Sequence, residues 1–250
     1  DDGIDSPGLL ALVETFKARG EVYVIAPHAQ RSGYGHAFSY KRPVYYRELT
    51  LPDGVPAIAV EGTPVDCVKM GLFWTQQPFD WVISGLNLGA NIGVDCFYSG
   101  TVGAATEGAI QGVPGLAFSL QTFHNPAVDS PMNEHAAAAI CGKLFDRVAA
   151  EGMGPHDCLS VNIPAIPADR IKGVWPSAQA HQRYIPKYVS EPAEDGRSVL
   201  FRPEVEILPD EADDADHKRL LDGWITVTPL TIDRTDAARL EVLRSWSWNV

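Results

Sequence analysis

The sequence predicts an α/β protein with a doubly wound, mostly parallel sheet flanked by helices. Between residues 21 and 164, short apolar runs of strand length alternate with longer segments whose apolar residues recur at helical spacing. Glycine, proline, asparagine and serine cluster in the segments between them. A chain of 250 residues with 45% hydrophobic residues can form one domain with a substantial core, or two small ones.

The first third of the chain begins with a helix rather than a strand. Ser6 and Pro7 are an N-cap and a first helical residue, and Gly20 ends the segment. A parallel α/β unit normally has a strand before that helix, so we expect the first strand of the core to be missing from this sequence. Strands are predicted at 21–27, 43–50 and 56–60, the last two joined by a turn at 52–54.

The middle of the chain carries the clearest helix start. Thr63 is the predicted N-cap, Pro64 takes the first helical position, and Asp66 completes a capping box in a helix that runs to about Trp74. Further strands are predicted at 79–84, 115–120 and 159–163, with a helix after residue 100 and a long one at 133–150.

Beyond Ile171 the pattern changes to strand-like segments. The predictions are strands at 171–178, 183–189, 198–205 and 223–229, a solvated acidic loop at 204–216, and a terminal helix capped by Thr235. The chain therefore divides into a core at 1–175, a β-rich arm at 176–222 that we expect to mediate oligomerisation, and a strand with a terminal helix at 223–250.

Composition limits the classes of partner. The formal net charge of −12 gives no general affinity for polyanions, which argues against nucleic-acid duplexes as ligands. An acidic protein that handles phosphate needs a local cation, a helix N-terminus, or both. The four cysteines form no C-x-x-C pair, which favours free thiols in a reduced compartment. No apolar run approaches the roughly 18 residues of a membrane span, and we expect a cytoplasmic protein.

The glycine-rich stretch at 84–101, SGLNLGANIGVDCFYSGT, is the strongest functional signal. It joins a predicted strand to a predicted helix, an arrangement that presents backbone N–H groups and the positive end of a helix dipole to an anion. Asn87 and Asn91 offer amide oxygens within it, and Ser99 and Thr101 offer hydroxyls at the helix start. The stretch is neither a Walker loop nor a G-x-G-x-x-G fingerprint. Such turns are common in α/β proteins, so a turn that binds nothing stays open.

A second polar turn, RSGYGH at 31–36, follows the strand at 21–27. In open α/β sheets, ligands bind at the carboxyl ends of the strands. Ser32 and His36 are therefore candidate site residues, although plain solvation of the loop explains them equally well at this level.

Taken together, these stretches resemble the SurE family (survival protein E) of metal-dependent 5′/3′-nucleotidases. The matching segments are DDGIDSPG, VIAPHAQRSGYGHAFS, VEGTPVDCVKMG, SGLNLGANIGVDCFYSGTVGAATEGAIQGVP, LSVNIP and GWITVTPLTID, in the family's order. The resemblance implies a Rossmann-like core and hydrolysis of nucleoside monophosphates with a divalent cation. Family members carry an apolar strand ending in Asn just before the Asp-Asp-Gly, which this sequence lacks.

The resemblance also implies roles for individual residues. Metal ligands would be Asp1, Asp2, Ser32 and Asn87, and the phosphate would contact Asn91, Ser99, Gly100 and Thr101. Such all-oxygen ligands favour Mg²⁺ or Mn²⁺ over softer metals, and we expect one cation per subunit. Asp1 or Asp2 would orient or deprotonate the attacking water, or attack phosphorus directly. His36 is a candidate acid for the leaving group, or a partner that orients another site residue.

Rival classes remain. A non-catalytic nucleotide- or phosphate-binding protein would need the glycine-rich stretch but not Asp1, Asp2 and Ser32 together. An NAD(P)-dependent oxidoreductase would carry its fingerprint after the first strand, where nothing fits. A purely structural oligomer would leave the polar loop chemistry unexplained. The arm-like segment 176–222 predicts a homodimer or homotetramer. Base preference and 5′ versus 3′ selectivity stay open.

Overall fold

The computed structural model describes residues 1–52, 54–75, 78–122, 132–191, 200–208 and 212–248. The helices are α1 (Pro7–Phe16), α2 (Pro64–Trp74), α3 (Gly100–Ile110), α4 (Glu134–Glu151), α5 (Asp216–Leu221) and α6 (Ala237–Arg244). The strands are β1 (Val24–Pro27), β2 (Tyr46–Thr50), β3 (Pro56–Val60), β4 (Val82–Leu88), β5 (Gly115–Leu120), β6 (Cys158–Ile163), β7 (Val174–Pro176), β8 (Arg183–Glu191), β9 (Leu200–Leu208) and β10 (Ile225–Leu230).

The main sheet has five strands in the order β4-β5-β6-β10-β7. Strands β4, β5 and β6 are parallel, β10 runs antiparallel to β6, and β7 is parallel to β10. A second sheet has the order β1-β3-β2, with β1 parallel and β2 antiparallel to β3. The predicted α/β fold with a mostly parallel sheet flanked by helices is confirmed.

Strand β5 shows why the sheet is covered on both faces. All six of its residues are buried, as expected for a central parallel strand. Leu116 and Phe118 pack with α1 and α4, whereas Ala117, which points to the opposite face, packs with α3. The small residues of α3 let that helix approach the sheet closely.

The edge strands of the two sheets, β1 and β4, line a common groove whose walls also include Asp1 and Asp2. The turn after β1 and the end of β4 therefore lie near the same two carboxylates. A strand leading into Asp1 was expected from the sequence, and that expectation stays a prediction.

Strand β4 is longer than predicted. The sequence suggested a strand ending at Ser84, but β4 continues to Leu88, with a shift in its register to β5 between Ser84 and Asn87. Gly85 permits this bulge because it has φ +129°, and a Cβ there would lie only 2.3 Å from the carbonyl oxygen of Phe118. The first residues of the predicted loop are therefore strand.

The capping box of α2 is confirmed: Thr63 Oγ1 accepts from Asp66 N at 3.1 Å, and Asp66 Oδ2 accepts from Thr63 N at 2.9 Å. The cap of α6 is a correction, because Asp236 rather than Thr235 accepts from Arg239 N at 2.9 Å. Both residue types suit an N-cap, so sequence alone could not choose between neighbours.

Strands β8 and β9 form an antiparallel pair, and the structure pairs neither with another described strand. The acidic segment 204–216 is not all solvated loop, because β9 reaches Leu208 and Asp216 is fully buried. Asp216 accepts hydrogen bonds from the backbone N–H groups of Gly93, Ala180 and His217. Burial outweighs these bonds and raises the pKa of its carboxyl.

The four cysteines are free, as expected. Burial raises the pKa of each thiol, that of Cys158 to about 11, so none is a ready thiolate nucleophile. Within the residues that the structure covers, no helix combines the length and apolarity needed to cross a membrane.

Candidate active site

One cleft, of about 220 Å³, collects most of the predicted site residues. Its lining includes Asp1, Asp2, Ser32, Asn87, Asn91 and Ser99. These residues come from the chain before α1, the turn after β1, the end of β4 and the start of α3. Residues far apart in the sequence meet here because β1 and β4, the edge strands of the two sheets, line a common groove with Asp1 and Asp2.

The two aspartates differ in the hydrogen bonds that their carboxylate oxygens accept. Asp2 Oδ2 accepts a hydrogen bond from Leu88 N at 3.0 Å, and its Oδ1 accepts one from Gln30 Nε2 at 3.4 Å. The buried Oδ1 of Asp1 has no hydrogen-bond partner among the described residues. A buried carboxylate oxygen without a partner is costly, which makes this atom a candidate ligand for a cation.

Ser32 lies in the exposed turn after β1, next to both aspartates. Arg31 N donates to the carbonyl oxygen of Asp1 at 2.8 Å, which ties the turn to the start of the chain. Gln30 Nε2 donates to Ser32 Oγ at 3.0 Å, so one amide group contacts both Ser32 and Asp2. The serine hydroxyl proton stays free to turn away when the oxygen serves as a ligand.

Asn87 is held with its amide in one orientation. Its Nδ2 donates to the carbonyl oxygen of Gly89 at 2.8 Å, and its Oδ1 accepts from Thr101 Oγ1 at 3.3 Å. The amide oxygen therefore faces the first turn of α3.

The first turn of α3 closes the cleft. Ser99 is the N-cap, and its Oγ accepts from Val102 N at 3.1 Å. A Cβ on Gly100 would lie 3.0 Å from Asp1 Cβ, so helix and aspartate are in close contact. Gly100 and Thr101 are buried in this turn, and the cleft lining does not include them in the described part of the chain. The unpaired N–H groups of a helix start form an anion site.

Asn91 lines the cleft but its side chain is also part of a buried polar cluster. Its Nδ2 donates to Ser119 Oγ at 2.8 Å, and its backbone N–H donates to Asn162 Oδ1 at 2.7 Å. Asn91 therefore anchors the glycine-rich loop to β5 and β6, and a phosphate contact from it stays a prediction.

His36 is turned away from the cleft, whose lining does not include it in the described part of the chain. Its Nε2 lies 2.8 Å from Glu107 Oε2 on α3. The geometry favours the predicted orienting role over that of an acid for the leaving group.

The donor set suits a hard divalent cation. Asp1, Asp2, Ser32 and Asn87 bring two carboxylates, one hydroxyl and one amide oxygen to the same cleft. Within the ranges that the structure describes, no three or more His, Cys, Asp and Glu side chains gather as a metal site. Carboxylate, hydroxyl and amide oxygens are hard ligands, which suit hard cations better than soft ones.

Comparison with known proteins agrees with this geometry. Residues 1–186 match the family model described as survival protein SurE. The chain belongs to the SurE family. The match includes the aspartates, the turn after β1, the glycine-rich stretch and α3.

Relatives of the SurE family match along nearly the whole chain. A 5′-nucleotidase SurE of Petrotoga mobilis is 36% identical over 248 residues, which cover 98% of this chain and 96% of the relative. A 5′-nucleotidase SurE of Geotalea uraniireducens gives the same identity and coverage. The crystal structure of the SurE protein from Aquifex aeolicus superimposes with a TM-score of 0.78 at 32% identity, over 98% of this chain and 96% of that one.

Sequence reasoning missed three residues that the SurE fold of this chain places at or near the site. Gln30 bonds two predicted metal ligands, Tyr98 lines the cleft, and Glu107 binds His36. Glu107 had a signal, because it is the one acidic residue in the small-residue run TVGAATEGAIQG and a buried carboxylate needs partners. Gln30 and Tyr98 sit in loops with no pattern to single them out.

Proposed function

We propose that this chain is a divalent-metal-dependent phosphatase that hydrolyses nucleoside 5′- and 3′-monophosphates to nucleoside and phosphate. The observation that carries the proposal is the meeting of Asp1, Asp2, Ser32 and Asn87 with the N-terminus of α3 in one cleft. Phosphoryl transfer requires metal ligands next to donors that bind the phosphate. We call the first turn of α3, with Ser99, Gly100 and Thr101, the anion cradle. The 5′-nucleotidase names of the relatives support the choice of substrate.

Asp1, Asp2, Ser32 and Asn87 would hold one Mg²⁺ or Mn²⁺ per subunit. When bound, the cation would supply charge neutralisation at the phosphoryl group and a lowered pKa for a bound water. The partnerless Oδ1 of Asp1 supports this assignment, since a cation would satisfy it. The formal net charge of −12 is unfavourable for attracting phosphate in general, so the charges close to the site matter more.

The phosphate would lie against Ser99, Gly100 and Thr101. Because Ser99 Oγ accepts its hydrogen bond from Val102 N, its hydroxyl proton is left to donate to a phosphate oxygen. The helix dipole and the first N–H groups of α3 would stabilise the charge that develops in the transition state. Asn91 would complete the cradle.

One of the two aspartates would activate the attacking water or act as the nucleophile itself. Asp1 is the better candidate, because both oxygens of Asp2 already accept hydrogen bonds, whereas Asp1 has a second oxygen besides the Oδ1 assigned to the cation. Asp1 would orient or deprotonate the attacking water, or attack phosphorus itself. Rapid quench with labelled substrate separates these routes, because only direct attack gives a phosphorylated enzyme.

The nucleoside part of the bound substrate would extend out of the cleft past Tyr98. This side chain lines the cleft beside Ser99 and is 61% exposed. A large exposed aromatic ring next to a phosphate site is suited to stack on a base. Purines and pyrimidines would both stack on this ring, because both present a π face.

We also propose a cytoplasmic homodimer or homotetramer, with the arm 176–222 as its contact element. Strands β8 and β9 pair only with each other among the described strands, and an isolated two-stranded hairpin is marginal in water. Packing on a second subunit would stabilise it. Light scattering of the chain gives the subunit number directly.

The experiment that tests the activity is phosphate release from AMP with Mn²⁺, with Mg²⁺ and with EDTA. We expect turnover with either cation and none with EDTA. AMP binding without phosphate release under all three conditions would instead favour a non-catalytic nucleotide-binding protein of the same fold.

A further inference from the structure

A buried carboxylate outside the cleft has an unusually full set of partners. Glu107 is 4% exposed on α3. Its Oε2 lies 2.8 Å from His36 Nε2, and its Oε1 accepts from Lys69 Nζ at 3.0 Å and from Gln111 Nε2 at 2.8 Å. Burial favours the neutral carboxyl, but these hydrogen bonds outweigh it and hold the pKa of Glu107 below its usual value. The group is an ionised anchor that the proposed reaction does not consume.

Through His36, Glu107 contacts the turn at 31–36, which carries Ser32. At its start, Arg31 N donates to the carbonyl oxygen of Asp1; further on, Gly35 N donates to the carbonyl oxygen of Tyr98 at 2.9 Å. Ser32 lies between these attachments and is exposed. Its place in the cleft therefore depends on how firmly both ends of the turn are held.

Helix α3 carries both the anion cradle and the anchor. Glu107 lies eight residues beyond the N-cap Ser99, or about 12 Å along the axis at 1.5 Å per residue. The turn lies directly on this helix, because a Cβ on Gly103 would be 2.7 Å from the carbonyl oxygen of Gly35. One rigid element thus connects the phosphate site to the far end of the turn.

We propose that Glu107 is a positioning residue which, through His36, fixes the turn that carries Ser32 relative to the N-terminus of α3. Metal ligand and anion cradle then keep a constant separation. In this role His36 donates a hydrogen bond to Glu107 and does not protonate the leaving group. The inference rests on the proposed function for its effect on metal binding, but its structural part does not.

The experiment compares His36→Ala, His36→Gln and Glu107→Gln with the wild-type chain. The Gln side chain places an N–H donor near the position of the His Nε2, but it carries no titratable proton. His156→Ala is the matched control, because His156 Nδ1 bonds the carbonyl oxygen of Ala109, two residues beyond Glu107 on the same helix, and His156 comes from the segment before β6 rather than from the turn that carries Ser32. Titration with Mn²⁺ alone, followed by electron paramagnetic resonance of the free ion, gives the dissociation constant without turnover.

We expect His36→Ala and Glu107→Gln to weaken Mn²⁺ binding by about 10-fold or more, the scale seen when a residue orienting a ligand is lost. His36→Gln should recover most of the affinity, and its kcat should keep the pH profile of the wild type. His156→Ala should bind Mn²⁺ like the wild type. If His36→Gln is as weak as His36→Ala, or if His36→Ala keeps its Mn²⁺ affinity and loses one limb of the pH profile, the proposal is overturned.

Amide hydrogen exchange provides a readout that needs neither metal nor substrate. The Gly35 amide, which donates to the carbonyl oxygen of Tyr98, should exchange faster in His36→Ala and in Glu107→Gln. Its exchange rate in His156→Ala should equal that of the wild type. If the wild type failed to bind Mn²⁺, the metal site would be rejected and the exchange result alone would decide on the anchor. Unchanged Gly35 exchange in both variants would reject it.

Discussion

The hydroxyl of Thr101 donates to the amide oxygen of Asn87 at 3.3 Å, and this bond joins the first turn of α3 to the end of β4. The two residues belong to different parts of the proposed site, one to the phosphate cradle and one to the metal ligands. A fully buried threonine thereby orients a cleft-lining asparagine. Orientation of a ligand by its hydrogen-bond partner is a general way of tuning metal sites.

We predict that Asn87→Ala raises the Mn²⁺ dissociation constant by about 10-fold or more, because one of four oxygen donors is lost. Thr101→Val, which keeps the shape of the side chain and removes its hydroxyl, should have a smaller effect in the same direction. Both constants follow from Mn²⁺ titration. Full activity of Asn87→Ala at low metal concentration would refute the ligand assignment.

For Ser99→Ala we predict a higher KM for AMP and a weaker inhibition by inorganic phosphate, with Mn²⁺ affinity unchanged. The loss of the N-cap should also cost about 1 kcal/mol of stability. Asn133→Ala is the matched control, since Asn133 caps α4 through a bond from Ala136 N at 2.9 Å and lies outside the cleft lining. It should lose similar stability and keep its KM. Equal KM changes in both variants would mean that the cap acts through stability alone.

Sequence predicted the elements best where local chemistry decides them. The capping box at Thr63 and Asp66 and the buried strand β5 lie close to where pattern placed them. The end of β4 was misplaced, because the bulge between Ser84 and Asn87 depends on pairing with β5, a long-range contact that no local pattern encodes.

The site residues, like the elements, were predictable from local patterns but not where long-range contacts decide. The resemblance predicted Ser32 and Asn87 as ligands of one cation, and the structure brings both residues into one cleft. The direction of a side chain was not predictable: nothing local indicates that His36 faces Glu107, seventy-one residues further along the chain. A histidine in a glycine-rich turn has the same local pattern whether it faces ligand or helix.

The Tyr98 ring gives a prediction about the nucleoside half of the substrate. Tyr98→Ala should raise the KM for AMP by about 5- to 150-fold, the equivalent of about 1–3 kcal/mol for one base stacked on an aromatic ring. The KM for ribose 5-phosphate, which has no base, should not change. Tyr98→Phe is the control and should keep the wild-type KM for both substrates, because stacking does not need the hydroxyl. A parallel rise for ribose 5-phosphate would place Tyr98 at the phosphate instead.

Two buried carboxylates should give the stability of the chain opposite pH dependences. The pKa of Glu107 is lowered in the folded state, so the folded protein holds that proton less tightly than the unfolded chain, where it titrates near about 4.3. The stability that Glu107 contributes is therefore present above about pH 4.3 and is lost as pH falls through its lower, folded pKa. The pKa of Asp216 is raised, so its contribution is largest below about pH 3.9 and declines as pH rises through its folded value.

Urea unfolding of Glu107→Gln and Asp216→Asn between pH 3.5 and pH 7, followed by tryptophan fluorescence, tests both signs. The free energy of unfolding of the wild type minus that of Glu107→Gln should grow as pH rises, because only the wild type gains an ionised carboxylate paired with Lys69. The same difference for Asp216→Asn should shrink, because ionising Asp216 against its burial costs free energy that an amide does not. Imperfect hydrogen bonding in a variant changes its free energy of unfolding by the same amount at every pH. It therefore does not affect the slope of either difference against pH. If the difference for Glu107→Gln instead shrank as pH rises, the hydrogen bonds to Glu107 would not outweigh its burial, and the anchor would lose its electrostatic basis.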